Sequence, residues 1–260
     1  MARKTKTVPC DLCPLRKLSH FRPFSRDEVL FMKTFKTGEL RIEAGSTLFA
    51  EKSVNLNLYT VLEGTGFRYK MLEDGRRQIL NFLLPGDLVG LQGTLSGEME
   101  HSVEALSPMT LCAFDRSRLN SLFRDHSGLA YDLTWIASRE ERLLDENLLS
   151  VGRRSAIERI AYVLAAIHWR ARQVDLVAGN HVDVPMTQQH LADTLGLSLV
   201  HTNKTLAKLM RYGAVRWLDR GYQTSDPDLL ARIGGWRPHP DTPRPFLFSC
   251  FANRQPLPTQ

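Results

Sequence analysis

What the chain lacks narrows its identity first. A bilayer span needs about 20 consecutive apolar residues, and the longest apolar stretches, such as IAYVLAAI, fall far short of that, so no membrane segment is expected. The basic opening MARKTKTVPC has no apolar core or small-residue cleavage site behind it. No secretory leader is therefore expected, and the cytoplasm is the expected location. Cysteine is scarce, with only Cys10, Cys13, Cys112 and Cys250 in 260 residues. So few thiols without an export signal do not make a disulfide framework and are expected to be free or to act as ligands. Histidine is almost missing from the β-like part of the chain, where His101 stands alone. A cupin-type jelly-roll metalloenzyme needs several histidines and a carboxylate converging from its strands, so that reading is kept only as the alternative from a different class.

The remaining composition is ordinary for a soluble globular protein, at 43% hydrophobic and 24% charged residues. A chain of 260 residues suggests two domains and a connector. A net charge of +6 favours a polyanionic partner. Between Gly38 and Leu119 run short β-like segments separated by turns: TLFA, NLYTVLEG, GFRYKML, EDGRR, QILNFLLPGDLVGL, HSVEAL and TLCAFD. With Asp74-Gly75 as a hairpin signal, they predict an antiparallel barrel or jelly roll. Before them, Ser25 and Glu28 have the spacing of a capping box that opens a short helix.

From about Ser127 the pattern changes. Leu129, Leu133, Ile136, Leu143, Leu144 and Leu148 recur at three-and-four spacing, which predicts a long amphipathic helix. Its apolar stripe has more length than one small β domain is expected to cover, so the helix is expected to pair with its own copy in a homodimer. After Gly152 a second helix follows, with Ile157, Ile160, Ala161, Leu164 and Ile167 on one face. HVDVPMT reads as strand and turn, and TQQHLADTLG and SLVHTNKTLAKLMRYG as two helices separated by Gly196. AVRWLDRGYQTS then reads as a two-stranded wing. The proline-rich end has no period and reads as a tail.

In such a helix-turn-helix the second helix enters the major groove with its N-terminal end leading. Leu191, Ala192 and Leu195 would pack on Leu206 and Leu209. That leaves Leu199, Val200, Asn203 and Lys204 on the leading exposed side. Lys204, Lys208, Arg211, Arg216 and Arg220 face one acid, Asp219, over this stretch, as phosphate contact requires. The expected DNA-binding set is Gln188, Gln189, Ser198, Leu199, Val200, His201, Asn203, Lys204 and Lys208. A nucleotide-sensing module that does not bind DNA would leave this basic helix unexplained.

The β domain, the long helix and LADTLGLSLVHTNKTLAKL together resemble the Crp/Fnr family of bacterial transcription regulators over roughly residues 10–225, most specifically in PGDLVGL and the helix-turn-helix. The resemblance implies an α+β architecture. Its parts would be a cyclic-nucleotide-binding-like β jelly roll as sensor (1–125), a dimerisation helix (126–150), a winged helix-turn-helix (151–227) and the tail (228–260). It implies double-stranded DNA, a second copy of the chain and RNA polymerase as partners, and no enzymatic activity. In familiar members a Glu and an Arg on the recognition helix read bases; Val200 and Lys204 stand there, with Asn203 where serine or glycine is usual. Valine cannot accept from cytosine N4 as glutamate does, but can meet a thymine methyl, and Asn203 can pair with adenine. Cyclic-AMP-binding members carry a Glu and an Arg-Ser or Arg-Thr pair where this chain has Leu91 and His101-Ser102, so cyclic AMP is not the expected ligand. Oxygen-sensing members hold a [4Fe–4S] cluster on N-terminal cysteines and one in the β domain. Cys10, Cys13 and Cys112 correspond, but Ser19 stands where a further cysteine is expected. No bound cofactor is the expectation, with an iron–sulfur or other redox or metal use of the three cysteines as the alternative.

Overall fold

The capping box forms as its spacing predicts. Ser25 Oγ accepts from Glu28 N at 3.2 Å and Glu28 Oε2 accepts from Ser25 N at 2.7 Å, opening α1 (Arg26–Phe35). In this computed structural model, which describes residues 7–23 and 25–237, the chain then enters two antiparallel sheets. One has the order β1 (Lys36–Ile42), β8 (Met109–Asp115), β3 (Asn57–Glu63), β6 (Leu88–Val89). The other has the order β2 (Thr47–Phe49), β7 (Ser102–Ala105), β4 (Gly66–Met71), β5 (Arg77–Leu83). Every strand pair is antiparallel, and the chain crosses between the sheets repeatedly, which makes a jelly roll. Phe49, Tyr59, Val61, Val103, Met109 and Leu111, from strands of both sheets, form one buried cluster with Met99 from the loop before β7.

Three local readings change. β1 was not expected, because Lys36, Glu39 and Arg41 interrupt any simple apolar alternation. EDGRR is not a strand of its own but a turn that leads into β5. QILNFLLPGDLVGL divides into β5, a turn and β6, with Leu91 starting a short helix, α2 (Leu91–Ser96).

After α3 (Leu119–Asp125), the long helix α4 runs from Ser127 to Arg153. It passes straight through Gly152, so it extends beyond the expected boundary at residue 150. Leu129, Leu133 and Ile136 are at most 2% exposed and already packed within their own chain. Leu143 is half-buried and lines a cleft with Tyr162 and Ile167. The apolar stripe is therefore mostly covered without a second copy, contrary to the length argument made from sequence. What stays open is its C-terminal end, where Leu148, Leu149 and Val151 are exposed.

The second unit begins with α5 (Ala156–Arg172), which has its own Ser155–Glu158 capping box. It continues through β9 (Val177–Ala178), β10 (His181–Val182), α6 (Gln188–Leu195), α7 (Leu199–Arg211), β11 (Arg216–Trp217) and β12 (Tyr222–Gln223). The four short strands form one sheet in the order β11-β12-β10-β9, so the wing is larger than the two strands expected. The fully buried Tyr222 anchors it, with its hydroxyl donating to Leu164 O of α5. The tail assignment also needs correction at its start. Residues Pro227–Gly234 form a helix, α8, whose Gly234 lies so near α5 that a Cβ there would stand 2.3 Å from Tyr162 N. Trp236 stacks on Trp169, with ring centroids 5.4 Å apart. The rest of the proline-rich stretch, with Cys250, lies outside the described residues.

Candidate nucleic-acid interface and sensor site

Thr187 caps α6 by accepting from His190 N at 3.2 Å, which places Gln188 and Gln189 in the first turn. Gln189 also donates to Asp193 Oδ1 at 2.6 Å. α6 ends at Gly196 with φ 62 and ψ 34. That is the left-handed conformation glycine adopts at no steric cost, and it turns the chain within three residues. Ser198 then caps α7 by accepting from His201 N at 3.2 Å. Leu191, Ala192, Leu195, Leu206 and Leu209 are each at most 1% exposed, so the two helices pack through the residues expected from their spacing.

Thr202 and Thr205 join that buried side of α7. Leu199, Val200, His201, Asn203, Lys204 and Lys208 are all exposed, and Val200, Asn203 and Lys204 follow at the i, i+3, i+4 spacing of one helix face. The exposed Arg211 continues that face and Arg216 stands on the wing. Arg220 contributes less free charge than its sequence suggests, because it pairs with Asp183 at 3.5 Å. Thr187, exposed at the head of α6, was missed from sequence because its box partner is His190 rather than a glutamate or glutamine.

In the β domain, the positions that resemble the cyclic-nucleotide contacts are occupied differently. Leu91 opens α2. Ser102 Oγ accepts from Glu51 N at 2.9 Å, which commits it to the neighbouring loop. His101 is 3% exposed, its Nδ1 lies 2.9 Å from Gln92 Oε1, and its ring lies against Phe49. Its Nε2 has no partner among the described residues. Burial, then the nearby Arg68 and Lys70 charges, push its pKa down to about 3. His101 is thus a neutral ring and not a cationic phosphate anchor. The unfolded chain takes up a proton below the ordinary histidine pKa of about 6.5 while the folded one does not, so stability falls as pH drops through that value. We expect His101 to account for about 1–2 kcal/mol of lost stability between pH 7 and pH 5. Urea unfolding of His101→Gln at the two pH values should show that much less pH dependence, while an unchanged slope would place the ring elsewhere.

The two N-terminal cysteines lie on the side of the β domain that carries Cys112. Cys10 lies in a 3-10 turn (Cys10–Leu12) and Cys13 caps the next one (Pro14–Lys17). Both lie within electrostatic reach of Cys112 on β8. Burial raises all three thiols above their ordinary range, Cys112 to about 12. Lys36 and Glu39 share the site. Lys36 Nζ donates to Glu39 Oε1 at 2.7 Å and to Val8 O at 2.7 Å, and Val8 N donates back to Glu39 Oε1 at 2.8 Å. Burial is the largest influence and opposes the lysine charge, but the bond to Glu39 and the Coulomb attraction of Cys112, Glu39 and Cys10 together outweigh it and raise the pKa above the ordinary value. A [4Fe–4S] cluster wants four thiolates. Here three cysteines stand near the Lys36 ammonium group, Ser19 is exposed, and among the described residues no group of three or more His, Cys, Asp or Glu side chains is placed to hold a metal ion. The three thiols are one short of that number, so a cluster on Cys10, Cys13 and Cys112 would need a further ligand. The pair that sequence reasoning missed, Lys36 and Glu39, gave no signal because an i, i+3 charge pair is common on any surface.

A winged helix-turn-helix carried behind a two-sheet jelly roll and a long connecting helix defines a DNA-binding regulator with a sensor domain. Residues 39–126 match the cyclic nucleotide-binding domain and residues 158–233 the Crp-like helix-turn-helix domain. The nitrogen fixation regulation protein FixK of Bradyrhizobium diazoefficiens is 35% identical over 189 residues, 72% of this chain and 78% of the relative. The transcriptional activatory protein AadR of Rhodopseudomonas palustris is 33% identical over 181 residues, 69% of this chain and 74% of the relative. The solved structure of FixK2 from Bradyrhizobium japonicum superposes with a TM-score of 0.68 at 28% identity, covering 76% of this chain and 96% of that one. The chain belongs to the Crp/Fnr family and is a transcription regulator, not an enzyme. No helix among the described residues is long and apolar enough to cross a membrane.

Proposed function

We propose that two copies of the chain pair along α4 and present their α7 helices to successive major grooves of one duplex in the cytoplasm. The exposed face of α7 carries this reading: it offers apolar, amide and cationic groups in order. Val200 meets a thymine methyl, Asn203 pairs with adenine, and Lys204 reaches guanine acceptors or a phosphate. Leu199 and His201 flank them. Gln188, Gln189, Ser198 and Lys208 hold the sugar–phosphate backbone, which fixes register without reading sequence. The exposed Leu148, Leu149 and Val151 supply the apolar seam between the copies. A regulator seated at a promoter in this way has RNA polymerase as its neighbour and partner. The signal acts at the β domain by favouring one of two arrangements of the helices, which requires different affinity for each. The regulator works without a resident cofactor: iron and sulfide analysis after anaerobic purification should give no stoichiometric cluster.

Selection from random duplex DNA tests the dimer and the recognition helix together. The expected product is an inverted repeat with half-sites about one helical turn apart, roughly 10 base pairs centre to centre. Recovery of single, unpaired half-sites alone would overturn the dimeric reading.

A further inference from the structure

Asp87, in the PGDLVGL turn, joins three parts of the molecule. It is 1% exposed. Its Oδ2 accepts from Leu84 N at 2.8 Å and from Arg170 NH2 of α5 at 2.6 Å. Its Oδ1 lies 3.5 Å from Arg139 NH1 of α4. Arg170 also donates to Asn81 Oδ1 at 2.8 Å and to Phe82 O at 3.0 Å on β5. Asn81 passes the chain on, donating at 3.1 Å to Glu140 Oε2, which also receives Arg68 NH2 of β4 at 2.8 Å. A second set of bonds lies on the face of β4 and β5 that meets α6. Arg77 donates to Asp193 Oδ2 of α6 at 2.8 Å while standing over the rings of Phe67 and Tyr69. Gln78 Nε2 donates to Thr194 O at 2.9 Å, and Phe67 meets the His190 ring.

Apolar packing tolerates sliding and rotation, but a guanidinium bonded to three fixed acceptors does not, because each bond is directional. The first helix of the DNA-binding motif and the helix behind it are therefore tied to one sheet of the sensor domain at a set angle. We propose that Arg170 with Asp87, and Arg77 with Asp193, are positioning residues for DNA recognition. They touch no base or phosphate, yet they set the direction in which α7 leaves its protomer and hence the separation of the two α7 helices in a dimer. This rests on the dimeric reading above. Its consequence is that half-site spacing and half-site sequence are read by different residues.

The test uses the full-length protein with Arg170→Gln, Arg77→Gln, and the exchanged pair Arg77→Asp with Asp193→Arg. Affinity is measured for inverted repeats whose spacing is changed by one or two base pairs, and for half-sites with single base changes. The unmodified protein should prefer one spacing, and both glutamine variants should weaken that preference by roughly fivefold or more, within the range of ordinary coupling between sites. Base preference within each half-site should stay as it was, and the exchanged pair should restore spacing preference. If the glutamine variants lose thermal stability but keep the same spacing ratio, the bonds only stabilise the fold and the proposal is wrong. Should Arg170→Gln fail to fold, Arg77→Gln decides, since Arg77 and Asp193 are only partly buried. An unmodified protein that binds no inverted repeat would instead overturn the dimeric reading.

Discussion

Replacing Leu148 and Leu149 together with aspartate is expected to give a folded monomer that binds an inverted repeat roughly 100-fold more weakly, or weaker still, because the second contact is no longer intramolecular. Both side chains are exposed, Leu148 at 73%, so a charge there meets water in the single chain and an apolar surface only when a copy is docked. Leu143 is the wrong place for this experiment. It faces the cleft beside Tyr162 and Ile167, and a charge there would disturb the junction between the two units of one chain. Sedimentation at micromolar concentration with and without DNA reads the outcome. A double variant that remains dimeric would remove the C-terminal end of α4 from the interface.

The second large effect separates base contacts from phosphate contacts on α7. Asn203→Ala should lose discrimination at one base position, costing about 1–3 kcal/mol against the preferred base, while leaving non-specific affinity nearly unchanged. Lys208→Ala should weaken binding to all sequences alike and reduce the slope of affinity against salt by about one unit. Neither change disturbs the core, because both side chains are exposed while Leu206 and Leu209 hold the helix in place. Val200→Glu introduces an acceptor for cytosine N4 and should move the selected half-site toward cytosine at the position it faces. Equal, sequence-independent losses for Asn203→Ala and Lys208→Ala, with the same salt slope, would mean that this face does not read bases.

The local parts of this protein were legible because each is set by neighbours in sequence. Ser25 and Glu28 lie three residues apart and form their box. Gly196 takes the left-handed turn, and the spacing of Leu191, Leu195, Leu206 and Leu209 dictates how α6 crosses α7. Those features follow from helix periodicity and backbone sterics, so α7 and its exposed face depend on residues close together in the chain. α8 was harder to foresee. Its short apolar pattern is followed at once by prolines, and it is held by the close approach of Gly234 to α5.

Burial and distant pairing decided the rest. The same leucine pattern in α4 that suggested a dimer seam is covered at Leu129, Leu133 and Ile136 by the protein's own core, since amphipathicity says that a face is buried but not by what. His101 stays neutral well below pH 6.5 only because the fold removes it from water beside Arg68 and Lys70. The cysteines that resemble cluster ligands meet Lys36 and Glu39, whose charges enter the same pocket from β1. Asp87 lies 83 residues from Arg170 in the chain, and nothing in either local sequence points to the other. Helix faces and turns were determined by the sequence itself, because they depend on a few adjacent residues. Which charges and thiols share a buried space was decided only by the tertiary structure, because desolvation and Coulomb interactions depend on distance in space.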